Sequence, residues 1–227
     1  MVIPYGRPVG TSGEWRLRSF NWLAARWAAL CPEYEVIVAA PDDYADPGTF
    51  NRPQAINRAV LQASGAVLIV ADADTAFDAG WPQAAVESIY SGRSAWVLPQ
   101  WYRRLARRST SRLVRRDPDG PIEGIVEEET EYSWSGLVVV PRDGFDACGG
   151  FDERFTGWGH DDIAFGVAME TLWGYHSRLP GQATHLWHPS PLEHNYGQPN
   201  NTAQRELAEE YVAAADDVAA MRAVRFG

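Results

Sequence analysis

The apolar run at 66–71, AVLIVA, followed at once by Asp72-Ala73-Asp74, constrains the fold of this chain more than any other stretch. A strand apolar at every position cannot sit in a sheet with one wet face. It asks for cover on both faces, as in a parallel α/β sheet. The stretches before it agree. Residues 1–4 form a short apolar strand ending in Pro4-Tyr5-Gly6-Arg7, and 15–30 carries Leu17, Phe20, Leu23, Trp27 and Leu30 at helical spacing. Residues 34–40 (YEVIVAA) read as a second strand, stopped by Pro41. Asn51 can cap a helix entered through Pro53, with Ile56, Val60 and Leu61 on one face. A helix near Trp81 and a fourth strand at 94–98 follow. This alternation predicts an α/β fold: a Rossmann-like, doubly wound central sheet with helices on both faces and ligands at the carboxyl ends of its strands.

Alternation along the third strand would place Asp72 and Asp74 on one side. Two hard oxygen ligands there suit Mn²⁺ or Mg²⁺ held against a diphosphate. Acids at strand ends are also common turn formers, so the position after two strand-helix units carries the argument.

A second concentration of chemistry lies at 149–165, GGFDERFTGWGHDDIAF. Trp158 between Gly157 and Gly159 offers a flat apolar platform suited to a sugar ring, and Asp161-Asp162 stand where a helix begins. Helix N–H groups stabilise negative charge there, which predicts a depressed pKa for Asp162. Capping explains a bare acid pair; it does not require the Gly-Trp-Gly before it. His185 and His188 follow at the exit of a strand, before Pro189, although a lone His is more often a packing residue. A single helix is expected over 202–224, preceded by a flexible loop with Asn195, Asn200 and Asn201 that could close over a ligand.

With 227 residues the chain fits one large domain: a nucleotide-binding half at 1–98, a charged insertion at 101–131, and an acceptor half at 132–200. It has no apolar run of membrane-spanning length and no signal-like N-terminus. Cys31 and Cys148 fit a reduced, cytoplasmic protein. The net charge of −10 disfavours general attraction to nucleic acid or anionic membranes. Every basic residue is Arg, a bias expected of a GC-rich bacterium or its phage. Arginines 103, 104, 107, 108, 112, 115 and 116 are followed by Glu123, Glu127–Glu129 and Glu131. This reads as a mobile surface insertion with self-complementary charge; the sharper alternative is an arm gathering an anionic acceptor, with nucleic acid disfavoured by the lack of interleaved aromatics.

The segment Trp158-Gly159-His160-Asp161-Asp162 resembles the WGGED of the β-1,4-galactosyltransferases and of related galactosyltransferase C-terminal domains, with His160 in place of a Gly and Asp161 in place of Glu. Phe50-Asn51-Arg52 resembles their FNR, Val2-Ile3-Pro4-Tyr5 their IIPF strand, and Trp134 to Gly136 falls on their YFGG-type donor loop. The resemblance implies a GT-A glycosyltransferase. It makes Asp162 the general base and places Asp161, Trp158 and Gly159 at the acceptor. Pro4, Tyr5, Arg7, Phe50, Arg52, Asp72, Ala73, Trp134 and Gly136 would bind the donor; Arg16 and Arg18 are loose counterparts of further family arginines, with a solvated helix face as the alternative. Metal ligands would be Asp72, Asp74 and a His, for which His188, at the strand's exit, is preferred to His185. The implied reaction moves a hexose or N-acetylhexosamine from a UDP-sugar to a glycan, protein or lipid-linked acceptor, with inversion. A nucleotidyltransferase and a non-catalytic sugar-binding relative are the competing readings.

Overall fold

The computed structural model describes residues 1–6, 10–40, 50–156, 159–189 and 199–227. In chain order the elements are β1 (Val2–Pro4), α1 (Gly10–Leu30), β2 (Ile37–Ala39), α2 (Arg52–Gln62), β3 (Val67–Ala71), β4 (Thr75–Phe77) and α3 (Trp81–Tyr90). They continue with β5 (Val97–Leu105), α4 (Arg107–Leu113), β6 (Val126–Glu131), β7 (Leu137–Pro141), α5 (Arg142–Ala147), α6 (Asp161–Leu172), β8 (Ser177–His185), α7 (Pro199–Ala213) and α8 (Val218–Phe226). The strands form one sheet in the order β2-β1-β3-β7-β5-β8-β4, with β6 added to β5.

Alternation along the inner strands divides the core in two. Val2, Leu68, Val70, Val138 and Val140 face α2, α5, α6, α7 and α8. Ile3, Ile69, Ala71, Leu137 and Val139 face α1, α3 and α4. The all-apolar β3 is therefore covered on both faces, as its sequence requires. The sheet is mixed: β1 runs parallel to β2 and β3, whereas β7 is antiparallel to both β3 and β5. Asn51 caps α2 by accepting from the Gln54 amide at 2.9 Å, with Pro at the first turn.

Two expectations are refined. The charged stretch lies at the surface, with β6 exposed along its whole length, but it joins the sheet. β5 runs on to Leu105, β6 pairs with it antiparallel, and Thr110 and Leu113 of α4 are buried. Its charge is self-complementary in part, through Arg103–Glu129, Arg104–Glu128 at 3.2 Å and Arg116–Glu123 at 3.0 Å. The C-terminal helix is broken into α7 and α8, because Asp217 caps a new start by accepting from the amides of Ala219 and Ala220. Within α6, Ile163 is 44% exposed, and Ala164, Phe165, Ala168 and Met169 make the core contacts. No described helix is long and apolar enough to cross a membrane.

Candidate active site

The Asp-x-Asp motif leaves β3 as a turn, not as extended strand. The Thr75 amide donates to the Asp72 carbonyl at 3.0 Å, and the Asp72 amide to the Gly136 carbonyl at 3.0 Å. Alternation ends with the strand, so the two carboxylates part company. Asp72 accepts from Arg52 Nε at 2.7 Å. Asp74 turns toward His188, whose Nε2 lies 3.0 Å from it, and His185, at 3.7 Å. The register produces this: β4 pairs antiparallel with β8, Thr75 opposite His185, and the Leu186 amide donates to the Asp74 carbonyl at 2.8 Å.

Asp74, His185 and His188 place one ligand atom each within 4.8 Å of one another, a group able to hold a metal ion. Burial pushes the His185 imidazole down to about 4, which leaves it neutral with a lone pair for a cation. Burial would raise Asp74, but His185, His188 and Arg16 outweigh it and hold the carboxyl well below its ordinary range. Two imidazoles with one carboxylate suit a transition-metal ion better than Mg²⁺, which prefers oxygen ligands. Asp72 lies outside this group, engaged by Arg52.

Arg52, at the start of α2, joins the two motifs. Besides Asp72 it reaches Asp161 at 2.5 Å and Asp162 at 3.0 Å, with its guanidinium over the Phe151 ring. Burial would lower the Arg52 pKa, but the three carboxylates carry it well above its usual value. Burial raises Asp162 to about 7, with repulsion from Asp161 and Asp72 adding and Arg52 and a Ser135 hydrogen bond opposing. The expected depression at the helix start is thus reversed, because desolvation outweighs the helix N–H groups. His160 caps α6 at φ +72, a left-handed conformation that favours glycine, which accounts for the Gly the galactosyltransferases carry there. Gly159 is also left-handed, at φ +99, and among the described residues no atom lies within 4 Å of where a Cβ would stand.

Pro4 ends β1 in the core, and Tyr5 stacks on Phe20 at 4.0 Å. Phe50 is half-buried just before the α2 cap, and Ala73 packs partly buried against the second core. Gly136, at φ +85, lies so close to Tyr102 that a Cβ would stand 2.7 Å from its ring. Trp134 packs as core, between Trp96 at 5.8 Å and His176 at 5.3 Å and over Gly166. Arg7 and Trp158 lie outside the described residues, as does Asn195; Asn200 and Asn201 fall in the first turn of α7.

Of two further residues at the site, one was only a loose counterpart in the sequence and the other gave no sequence signal. Arg16 of α1 approaches His188 Nδ1 at 3.4 Å, not the solvated face that was its alternative. Tyr102 of β5 lies between Gly136 and His185, and burial, with repulsion from Asp74, Asp72 and Asp162, raises its hydroxyl far above the ordinary value. It stays a neutral hydrogen-bond donor. A tyrosine directly after Trp101 in an arginine-rich strand gave no signal for it.

This arrangement defines the class: the fold is that of the GT-A glycosyltransferases. The catalytic domain of Drosophila beta-1,4-galactosyltransferase 7, in complex with xylobiose, superposes with a TM-score of 0.50 at 14% identity over 90% of this chain and 77% of that one. S. aureus TarS 1–349 in complex with UDP-GlcNAc gives 0.59 at 17% identity, over 98% and 69%. For the longer S. aureus TarS structure the values are 0.58 and 16%, over 98% of this chain and 41% of that one. Within the class, residues 126–189 match the family model described as the N-terminal domain of galactosyltransferase, a span holding Trp134, the Asp161-Asp162 loop and both histidines. No curated protein matches the chain.

Proposed function

We propose that the chain is a metal-dependent glycosyltransferase that moves a hexose or N-acetylhexosamine from a UDP-sugar to an acceptor hydroxyl with inversion. The observation that carries this reading is the Arg52 cluster, which gathers Asp72, Asp161 and Asp162 around one guanidinium beside the Asp74–His188 pair. Two motifs distant in sequence thus meet at one guanidinium.

Asp162 takes the proton from the acceptor hydroxyl while that oxygen attacks the anomeric carbon and the bond to UDP breaks. A pKa near 7 suits this role, since a general base works best near the operating pH. Asp161, with Trp158 and Gly159, orients the acceptor. Phe50, Arg52, Pro4, Tyr5 and Arg7 bind the nucleotide. Gly136 lets Tyr102 pack against the donor loop, and Trp134 supports that loop from the core. Asp74, His188 and His185 would hold Mn²⁺, with Asp72 nearby; such an ion offsets charge developing on the departing diphosphate.

The test is a panel of UDP-sugars with Mn²⁺, reading UDP release and product anomer. Asp162→Asn is expected to keep donor affinity while transfer falls roughly 10²–10⁴-fold. Transfer at a near wild-type rate would remove Asp162 as the base; loss of UDP binding would assign the loop to the nucleotide.

A further inference from the structure

β8 ends at His185, so His188 stands beyond the strand ladder. A backbone amide that leaves a sheet and stays inside the protein needs another acceptor. The Leu186 amide donates to the Asp74 carbonyl at 2.8 Å, and the Trp187 amide to Thr110 Oγ1 at 2.8 Å. The first bond joins the histidine segment to the turn that carries Asp74. The second joins it to α4, a helix of the charged stretch to which the proposed chemistry gives no role.

Thr110 can serve as a fixed point because α4 is itself held. Thr110 is fully buried, Leu113 packs in the second core, and the Ala106 amide, just before the helix, donates to the Ile125 carbonyl at 2.9 Å. Ser109 Oγ accepts from the Ile125 amide at 2.8 Å, which ties the same helix to the chain entering β6. Ring contacts follow the path of the Thr110 bond. Arg107 of α4 lies over Trp187 at 5.0 Å and over Trp15 at 5.4 Å, and the two indoles meet edge-on. Trp187, one residue before His188, is thus held both by its amide and by its ring.

We infer that Thr110 is a positioning residue for the metal group: its hydroxyl fixes the backbone between His185 and His188 and so sets where His188 stands relative to Asp74. The inference rests on the metal-dependent part of the glycosyltransferase reading. His185 lies on the strand, and its backbone is set by the β4–β8 pairing opposite Thr75. His188, three residues on, depends on the two amide bonds instead, and its Nε2 stands 3.0 Å from Asp74. A metal ion tolerates ligand displacements of only about 0.2 Å, so a segment free to drift would bind it poorly. Without the Thr110 oxygen, the Trp187 amide is left unpaired, and the segment is drawn toward whatever acceptor or water it can reach. A hydroxyl that only held α4 in place would bond within the hairpin, as Ser109 does; Thr110 directs its oxygen at the histidine segment.

The test titrates Mn²⁺ alone into the protein, following loss of the free-ion EPR signal, with melting temperatures read in parallel. Thr110→Val, which keeps the branched shape and removes the oxygen, is expected to bind Mn²⁺ roughly 10-fold more weakly than the wild type, the scale set by losing a group that supports a metal ligand. Thr110→Ser, which keeps the oxygen, should bind as the wild type does. Ser109→Ala, which removes the comparable bond to Ile125, should lower the melting temperature and leave Mn²⁺ affinity unchanged. Unchanged affinity in Thr110→Val, with binding lost in Asp74→Ala, overturns the inference and leaves the metal reading standing. An equal loss in Ser109→Ala also overturns it, because general loosening of α4 would then account for the effect. Mn²⁺ binding absent from the wild type, or retained by Asp74→Ala, defeats the metal reading and the inference with it. If Thr110→Val fails to fold, Thr110→Ala is set against Thr110→Ser, a pair that differs by the hydroxyl alone, and equal affinities in the two overturn the inference.

Discussion

At the residue scale, the chemistry turns on how burial sets charge. A carboxyl whose pKa is raised on folding binds its proton more tightly folded than unfolded. Asp162 therefore favours the folded state at low pH, and that contribution is lost as pH climbs from the ordinary aspartate value near 4 to about 7. Its ionised form is the base, so kcat/KM should rise with pH through a limb near 7; a pH–rate profile with the limb near 4 would contradict the burial argument. Arg52 is the other decisive residue. Its three partner carboxylates are 9–25% exposed, and removing the cation leaves them crowded and unpaired. Arg52→Met should cost about 3–5 kcal/mol in urea unfolding at pH 8. The loss should shrink at pH 5, because burial raises both Asp162 and Asp72, which then accept protons. An equal loss at both pH values would mean that packing on Phe151, not charge, makes Arg52 matter. The residue types at these positions were legible in the sequence; the sign of the Asp162 shift was not, since desolvation belongs to the surroundings and not to the helix start.

At the element scale, α6 carries the acid pair and is held by its packing on the loop before β7. A Cβ on Gly166 would stand 1.6 Å from the Trp134 ring, so this glycine is required by contact, not by backbone freedom. Gly166→Ala should cost about 1–3 kcal/mol, read as a melting temperature lowered by several degrees. An unchanged melting temperature would show that Trp134 moves freely, and would return it to the donor side of the site. The β5–β6 ribbon shows the limit of charge patterning: the run of Arg and then Glu announced self-pairing, but not that the pairing would extend the central sheet. Local composition reports which charges are complementary; strand addition depends on a free sheet edge elsewhere in the molecule.

At the scale of the whole molecule, ligands that bind only the folded chain should stabilise it. UDP with Mn²⁺ at about 100 times its Kd should add about 2.7 kcal/mol, which chelation removes, and UDP should outperform GDP and ADP. Asp74→Ala should lose the Mn²⁺-dependent part; retaining it would move the metal away from the Asp74–His185–His188 group. The sequence by itself determined β1, β2, β3 and the three helices of the first half, though not β4, together with the Asn51 cap, the cover on both faces of β3, and the residue types gathered at the site. These follow from hydrophobic period, capping chemistry and motif order, all written within a few neighbouring residues. Only the tertiary structure decided that Asp72 and Asp74 serve different partners, that Arg52 meets Asp161 from 109 residues away, and that Arg16 reaches His188 across 172. The β4–β8 register and the order of strands in the sheet set those meetings, and neither is written in the local pattern of the chain.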